Sequence, residues 1–373
     1  MHKATYSIFI FSKICGLAPY SIETTKYEEK YTIKNFDKIF NDIIIGLFLS
    51  VLTFCVCTNI YYDIYSFTTI AAISKVLTHS NVIINAFLRL MVARFYTKQF
   101  TVGIDGLMDF DRKFRMASGI KAYYSMTKVR TILIFSIRYF ITCSIWYYMF
   151  TSTKETGCSI WIQILTTLLS NNRFILLAII ILELKKRFNR LNKFVKRLIL
   201  ERRIRTTKIK IKEVKNLRTL MFNIIFQMRF ALEMELLCKI IGSSMLSVFQ
   251  FYQLSKTFSL TAFWNDLPSY IFPIAWAVTI MIEVCILLGL LTNIELKAKK
   301  TVQLMEDLEK AVGKSNLAYK QIELFSLQVY VEDFKFSVFG CFPLDWTLLH
   351  SMAAGIATYL VIFHQFSNME KNV

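Results

Sequence analysis

Three hydrogen-bonding side chains recur at every seventh residue of the last apolar stretch, Leu344 to Phe366: Ser351, Thr358 and Gln365. Seven residues are close to two turns of an α-helix, so the three groups share one face. An uncharged polar face on an apolar helix points to protein or to water, because an unsatisfied polar group in lipid costs free energy. The matching chemistry is that of a pore lining. Helix packing through small residues is the alternative interpretation.

Bulky apolar side chains accompany the polar face near its end. Val361, Ile362 and Phe366 are candidates for a gate, since a plug of apolar side chains closes a pore by dewetting. Rotation of the helix would exchange Phe366 for Gln365 at the constriction. Asp345 precedes the helix, where it either raises the local cation concentration or caps the first turn.

Ionisable side chains also fall inside other apolar stretches, where charge is costly and indicates function by default. Arg138, Arg173 and Glu283 lie near the centres of three stretches, so we expect them to form a buried charge cluster. The cluster either serves as structural pairing or transmits ligand binding to the gate. Arg89 and Lys239 lie nearer the stretch ends and are expected to snorkel or to pair with acids or lipid phosphates.

Polar and aromatic side chains in the exterior halves of the second to sixth apolar stretches are candidates for a small-molecule pocket. Such pockets have apolar walls and a few convergent polar groups. An aromatic belt at the membrane surface is the alternative explanation for the tryptophans. The candidates are Ser74, Lys75, His79, Trp146, Trp161, Gln163, Gln250, Gln253 and Trp276.

Long membrane-crossing helices are needed to position these residues. The chain has 373 residues and is 55% hydrophobic, which is too apolar for an ordinary soluble domain. We therefore predict an all-α membrane protein with seven transmembrane helices. The predicted spans are about 39–60, 67–92, 129–150, 160–184, 232–254, 270–292 and 344–366.

Positive charge lies almost wholly on one side of the predicted membrane. Loops on the other side hold only Lys154, Lys256 and Lys371. Because cytoplasmic loops carry an excess of Lys and Arg, we predict a cytoplasmic N-terminus and an extracellular C-terminus, the reverse of G-protein-coupled receptors. The basic segments are 1–38, 94–128, 185–229 and 294–340.

Apolar residues continue at helical spacing into the basic segments, as Leu184, Phe188 and Leu191 show after the fourth span. Spans four to seven are therefore expected to carry cytoplasmic helical extensions. This topology also explains the net charge of +19, so we expect no nucleic-acid partner and assign the basic surfaces to membrane lipids.

The chain then divides into a few functional segments. The predicted segments are a cytoplasmic N-terminal segment (1–38), a six-helix ligand-sensing region (39–293) with the basic cytoplasmic loop 185–229, cytoplasmic anchor helices (294–340), a seventh, pore-lining helix (341–367) and a short extracellular tail (368–373).

Sites for catalysis or metal binding are not indicated by the sequence. It has no C-x-x-C pair, no Cys/His ligand cluster and no nucleophile–base constellation. We expect no enzyme activity, no metal site and no cofactor. A transporter that uses the midspan charged residues is the alternative class, although no internal repeat or pair of broken helices supports it.

Two short strings near the end resemble signatures of the insect gustatory receptor family. Thr358-Tyr359, five residues and Gln365-Phe366 are similar to the TY-x5-QF signature of that family. Leu360 stands where the sugar-receptor branch usually has Glu, which argues against a sugar ligand. The upstream string resembles the G-x-F-x-L-D-x-x-L-L segment of the family at Gly340, Phe342, Leu344, Asp345, Leu348 and Leu349.

The resemblance implies a seven-span receptor that is itself a ligand-gated non-selective cation channel. It implies a homotetramer, or a heterotetramer with related receptors, in which the last helix of each subunit surrounds a central pore for cations. It further implies a plasma-membrane location in sensory dendrites and a small-molecule tastant, bitter or plant-derived. Rings of Thr358 and Gln365 would line the axis, whereas Tyr359, about 100° away on the helix, would face a neighbouring helix.

Overall fold

Helices dominate the described parts of the chain. The computed structural model describes residues 12–13, 18, 21–24, 29–32, 34–66, 69–119, 137, 140, 144, 157–201, 204–257, 267–312, 335–338 and 340–371. The helices within these ranges are α1 (Asn35–Ser66), α2 (Thr69–Phe95), α3 (Thr97–Ser118), α4 (Gly157–Glu201), α5 (Ile204–Thr257), α6 (Leu267–Val312) and α7 (Thr347–Lys371).

Three of these helices are much longer than a membrane is thick. α4 has 45 residues, α5 has 54 and α6 has 46. At about 1.5 Å per residue each exceeds the roughly 30 Å of a hydrocarbon core by more than 30 Å. The expected helical continuation beyond spans four, five and six is therefore present.

Membrane-crossing character is clear in four of the described helices. Segments long and apolar enough to span lie in α1, α4, α6 and α7, at Asn35–Thr58, Thr166–Leu200, Ala277–Leu308 and Thr347–Phe366. α2 and α5 coincide with the predicted spans 67–92 and 232–254, and they carry the buried charged side chains of Arg89, Glu233 and Lys239. Apart from residues 137, 140 and 144, the predicted span 129–150 lies outside the described residues.

The helix α3 was missed by the sequence analysis, which treated residues 94–128 as a polar, basic segment. Its apolar side chains recur at helical spacing, and Leu107, Phe110 and Phe114 are buried against neighbouring helices. Gly119 ends the helix in the left-handed conformation, with φ of 68°.

Two short antiparallel hairpins complete the described structure. β1 (Ser21–Thr24) pairs with β2 (Glu29–Thr32), and β3 (Ser337–Val338) pairs with β4 (Phe342–Pro343). The second hairpin corrects the predicted anchor helices (294–340) and the predicted start of the seventh helix at residue 341, because residues 335–338 and 340–346 are not helical and α7 begins at Thr347. Gly340 turns the chain with φ of 76°, which favours glycine, and Pro343 has no N–H for a helix.

The core runs along the bundle, with α4 packed against α6, and α3 and α2 packed against α5.

A buried guanidinium joins the helices α3 and α4. Arg187 of α4 is fully buried and donates to Glu183 Oε2 at 2.9 Å, to Asp111 Oδ2 at 2.5 Å and to the Leu107 carbonyl at 3.3 Å. This fork fixes α3 against α4.

Replacing Arg187 with lysine should destabilise the protein by about 1–3 kcal/mol, because an ammonium cannot reproduce the planar fork and leaves Asp111 or Glu183 short of a donor. The free energy of unfolding in micelles measures the loss. Arg190→Lys is the matched control. Arg190 is partly exposed and lies 3.3 Å from Asp111, so its change should stay within about 0.5 kcal/mol. Equal losses in the two variants would contradict the role given to Arg187.

Candidate functional site

The last helix, α7, is held to the rest of the chain by one face only. Only Leu348 and Met352 of the 20 residues in its apolar stretch Thr347–Phe366 are buried, against 61% of the most apolar part of α4. The buried face packs on α5: Leu348 and Met352 are buried, and the Phe363 ring lies 5.9 Å from Phe249 and 5.2 Å from Tyr252. A membrane helix this exposed within one subunit leaves most of its surface for lipid, water or another subunit.

The polar stripe lies on a different face of α7 from the packed one. Ser351, Thr358 and Gln365 are all exposed. Six residues separate Met352 from Thr358, which places Thr358 about 120° around the helix from the packed face. The Thr358 hydroxyl donates to the Ala354 carbonyl at 2.9 Å, so both lone pairs of its oxygen stay available as acceptors. The stripe can therefore offer oxygens to a cation or to water.

The candidate gate residues are exposed as well. Val361 is 57% exposed, Ile362 38% and Phe366 54%. Tyr359, expected to face a neighbouring helix, is 58% exposed, so the described helices of its own subunit leave most of its ring uncovered.

The string upstream of α7 forms the hinge that sets where the helix begins. Leu344 is buried and donates its N–H to the Phe336 carbonyl at 3.0 Å, and Phe336 in turn donates its N–H to Glu295 of α6 at 2.7 Å. Gly340 supplies the turn, and Phe342 and Leu349 are partly buried against the core. The hairpin thus ties the start of α7 to α6.

Asp345 caps α7. Its carboxylate accepts hydrogen bonds from the Thr347 N–H, at 2.9 Å, and from the Thr347 hydroxyl. Both bonds favour the ionised form and lower the pKa of Asp345 below its ordinary value. Of the two roles considered for this residue, capping has direct structural support.

Asp345→Ala should therefore destabilise the protein by about 0.5–2 kcal/mol, whereas Asp345→Asn, which keeps an acceptor oxygen, should cost much less. Thermal unfolding of the purified variants measures the difference. If Asp345→Asn instead preserved stability but sharply lowered cation conductance, attraction of cations would be its main role.

Buried charges lie where α2, α4, α5 and α6 meet. Arg173 of α4 pairs with Glu235 of α5, and Glu283 of α6 pairs with Lys239 of α5. Arg173 is partly buried and Glu283 is buried, and each pairs with a residue of α5. Arg138 lies outside the described residues.

Of the two alternatives predicted for Lys239 and Arg89, snorkelling does not occur, whereas interaction with acids does, as Lys239 pairs with Glu283 and Arg89 interacts electrostatically with Glu235. Lys239 is 9% exposed and pairs with Glu283, which lies 44 positions away along the chain, and Arg89 is 8% exposed. The position of these residues near the ends of their spans did not indicate that both side chains point into the bundle.

A cavity of about 90 Å³ lies beside the Lys239–Glu283 pair. It is lined by residues of α2, α4, α5 and α6. Its walls combine apolar and hydrogen-bonding groups. The polar lining residues are Asn81, Asn85, Arg89, Thr166, Thr167, Ser170, Asn171, Lys239, Ser243, Thr279 and Glu283.

Comparison with known proteins identifies the family of this chain. A sequence model described as 7tm chemosensory receptor matches residues 5–370, nearly the whole chain. The chain belongs to this family. No curated protein sequence matches it significantly. The predicted resemblance is thus confirmed at the level of the chemosensory receptor family.

Solved structures show the same fold. The insect olfactory receptor OR5 from Machilis hrabei in complex with eugenol superposes with a TM-score of 0.66, at 12% identity over 98% of both chains. A second structure of the same receptor gives a TM-score of 0.56 at the same identity and coverage. The chemosensory receptor fold is therefore shared despite very low sequence identity.

The pocket candidates of this chemosensory receptor stay predictions. Trp146 lies outside the described residues, and so do the side chains of Ser74, Lys75, His79, Trp161, Gln163, Gln250, Gln253 and Trp276. The cavity that is described lies further along the same helices. Its lining could have been found from Asn81, Asn85 and Arg89, because a spacing of four residues puts them on one face of α2.

Proposed function

We propose that this receptor is a gustatory receptor that acts as a ligand-gated non-selective cation channel. It assembles as a homotetramer, or as a heterotetramer with related receptors, and the α7 helices surround the pore. The observation that carries this proposal is the exposure of the Ser351, Thr358 and Gln365 stripe on a helix that is otherwise apolar. Such a stripe is costly against lipid, and a water-filled axis removes that cost.

The proposed topology has seven spans, a cytoplasmic N-terminus and an extracellular C-terminus, in the plasma membrane of sensory dendrites. The distribution of Lys and Arg supports it. In this orientation the long continuations of α4, α5 and α6 form a cytoplasmic bundle that contacts other subunits and anionic lipid. Labelling of a C-terminal epitope on intact cells tests the orientation, and labelling only after permeabilisation would reject it.

The proposed ligand is a small tastant, bitter or plant-derived. Support comes from the cavity among α2, α4, α5 and α6, and from the small organic molecule eugenol in the OR5 structure. Leu360 disfavours a sugar, as the family resemblance implies.

The channel proposal is tested by agonist-evoked current in a heterologous cell, with Gln365→Ala as the informative variant. Removing a ring of amides at the pore should change the reversal potential between two different cations on the two sides of the membrane. His364→Ala is the matched control, because His364 is also exposed but lies about 100° away on the helix.

An unchanged reversal potential in Gln365→Ala would contradict the pore assignment. Saturable uptake of a small molecule without any conductance would instead favour a transporter that uses the buried charged residues.

A further inference from the structure

Arg89 is a buried cation that makes no ion pair with a carboxylate among the described residues. It is 8% exposed, and its Nε has no hydrogen-bond partner among the described residues. Arg173 and Lys239, by contrast, each pair with a carboxylate. A buried guanidinium carries five N–H donors, and leaving them unpaired costs free energy.

Charge is also unbalanced around Arg89. Glu235, the acid that interacts with it electrostatically, already accepts a hydrogen bond from Arg173. Glu283 is held by Lys239, and Glu233 is held by Arg229. Counted over the described residues alone, one positive charge is left over in a region of low dielectric, where an unpaired ion is costly.

The predicted third span does not supply the missing charge. Residues 129–150 contain no Asp or Glu, and they add the cations Arg130 and Arg138. No arrangement of that segment can therefore bring a carboxylate to Arg89. Among the described residues, the carboxylates near Arg89 are each held by another cation, and the adjoining cavity offers room for a further anion.

The cavity beside Arg89 is suited to a small amphipathic anion. Asn81 and Asn85 line its wall, but Asn85 Nδ2 donates to the Asn81 carbonyl and side-chain oxygen, and Asn81 Nδ2 donates to the Gly242 carbonyl. Arg89 is therefore the cationic donor that can receive an anion there, and Val82 and Ile280 bring apolar surface. Close approach of α2 and α5 helps to shape it: a Cβ at Gly242 would lie 2.6–2.8 Å from side-chain atoms of Asn85. Engineered cavities of about 150 Å³ accept benzene, so about 90 Å³ accepts something smaller.

We propose that this cavity binds a short-chain carboxylate, with the carboxylate on the Arg89 guanidinium and the alkyl chain against Val82 and Ile280. This inference names the ligand class of the proposed receptor and so rests on the proposed function. Arg and carboxylate match in geometry through two parallel N–H···O bonds, which gives the site selectivity over neutral molecules of the same size.

Binding is tested on the purified full-length receptor with propionate as the probe. Saturating propionate at neutral pH should raise the thermal unfolding midpoint by a few degrees, because a ligand that binds only the folded state stabilises it. Propionamide, its neutral isostere, and chloride at equal ionic strength should give no shift. Equal shifts with propionamide or chloride, or no shift with propionate, would overturn the proposal. These measurements need only the wild-type protein.

Variants then locate the site. Arg89→Gln should abolish the propionate shift, and Arg94→Gln should retain it, since Arg94 pairs with Asp42 at the surface of the same helix. Retention of the full shift in Arg89→Gln would overturn the assignment. A phospholipid that copurifies in native mass spectrometry and that propionate cannot displace would assign the anionic group to lipid and also overturn it.

Failure of this inference is distinguishable from failure of the channel proposal. Propionate binding in detergent requires no conduction, so it can persist in a receptor that passes no current. Conversely, currents evoked by other compounds in a receptor that ignores propionate would leave the channel intact and reject the carboxylate site.

Discussion

Thr358→Lys is expected to abolish agonist-evoked cation current while the receptor still reaches the cell surface. In the proposed tetramer the substitution places four ammonium groups around the axis. A single unit charge about 4 Å from a permeating cation repels it by about 4 kcal/mol at an effective dielectric constant near 20. Since about 1.4 kcal/mol corresponds to a tenfold change in rate, the current should fall far more than tenfold.

Thr358→Glu is the matched control because it changes the same exposed position by a side chain of similar length and opposite charge. It should preserve or increase cation current. Surface biotinylation of both variants separates loss of conduction from loss of expression. Equal current in the lysine variant and the wild type would place Thr358 away from the ion path.

Glu283→Leu is expected to destabilise the protein by about 3–5 kcal/mol, because it leaves the buried Lys239 ammonium without its carboxylate. A loss of this size is comparable to the whole stability of many domains. The folded fraction recovered by size-exclusion chromatography and the free energy of unfolding in micelles both measure it.

The double variant Lys239→Met with Glu283→Leu is the control, since it removes both charges together. Apolar replacement of a buried ion pair is often neutral or stabilising, so most of the lost stability should return. If the double variant were as unstable as Glu283→Leu, the pairing would not explain the loss. Agonist-evoked current in the folded double variant then shows whether the pair only stabilises the bundle or also couples ligand to gate.

Sequence patterns predicted α7 well because its signals are local. The seven-residue recurrence of Ser351, Thr358 and Gln365 needs only helical geometry to define a face, and the structure leaves that face exposed. The long continuations of α4, α5 and α6 were predictable for the same reason, since apolar residues at helical spacing extend through basic sequence.

Features that depend on tertiary contacts were not predictable in this way. Lys239 and Glu283 are far apart in sequence, and only the packing of α5 against α6 brings them together. The hairpin before α7 was predicted to be helical from its apolar periodicity. A left-handed turn at Gly340 overrides that pattern in the structure. The cavity was not predicted because the pocket candidates came from the exterior halves of the spans, whereas Asn81 and Asn85 lie further along α2.

Cryo-electron microscopy of the purified receptor in a lipid bilayer tests the central claim most directly, because it shows where α7 lies in the assembly. We expect four subunits with Ser351, Thr358 and Gln365 facing a shared, hydrated axis. Separate subunits, or an assembly in which this stripe faces lipid and no continuous path runs between the α7 helices, would contradict it.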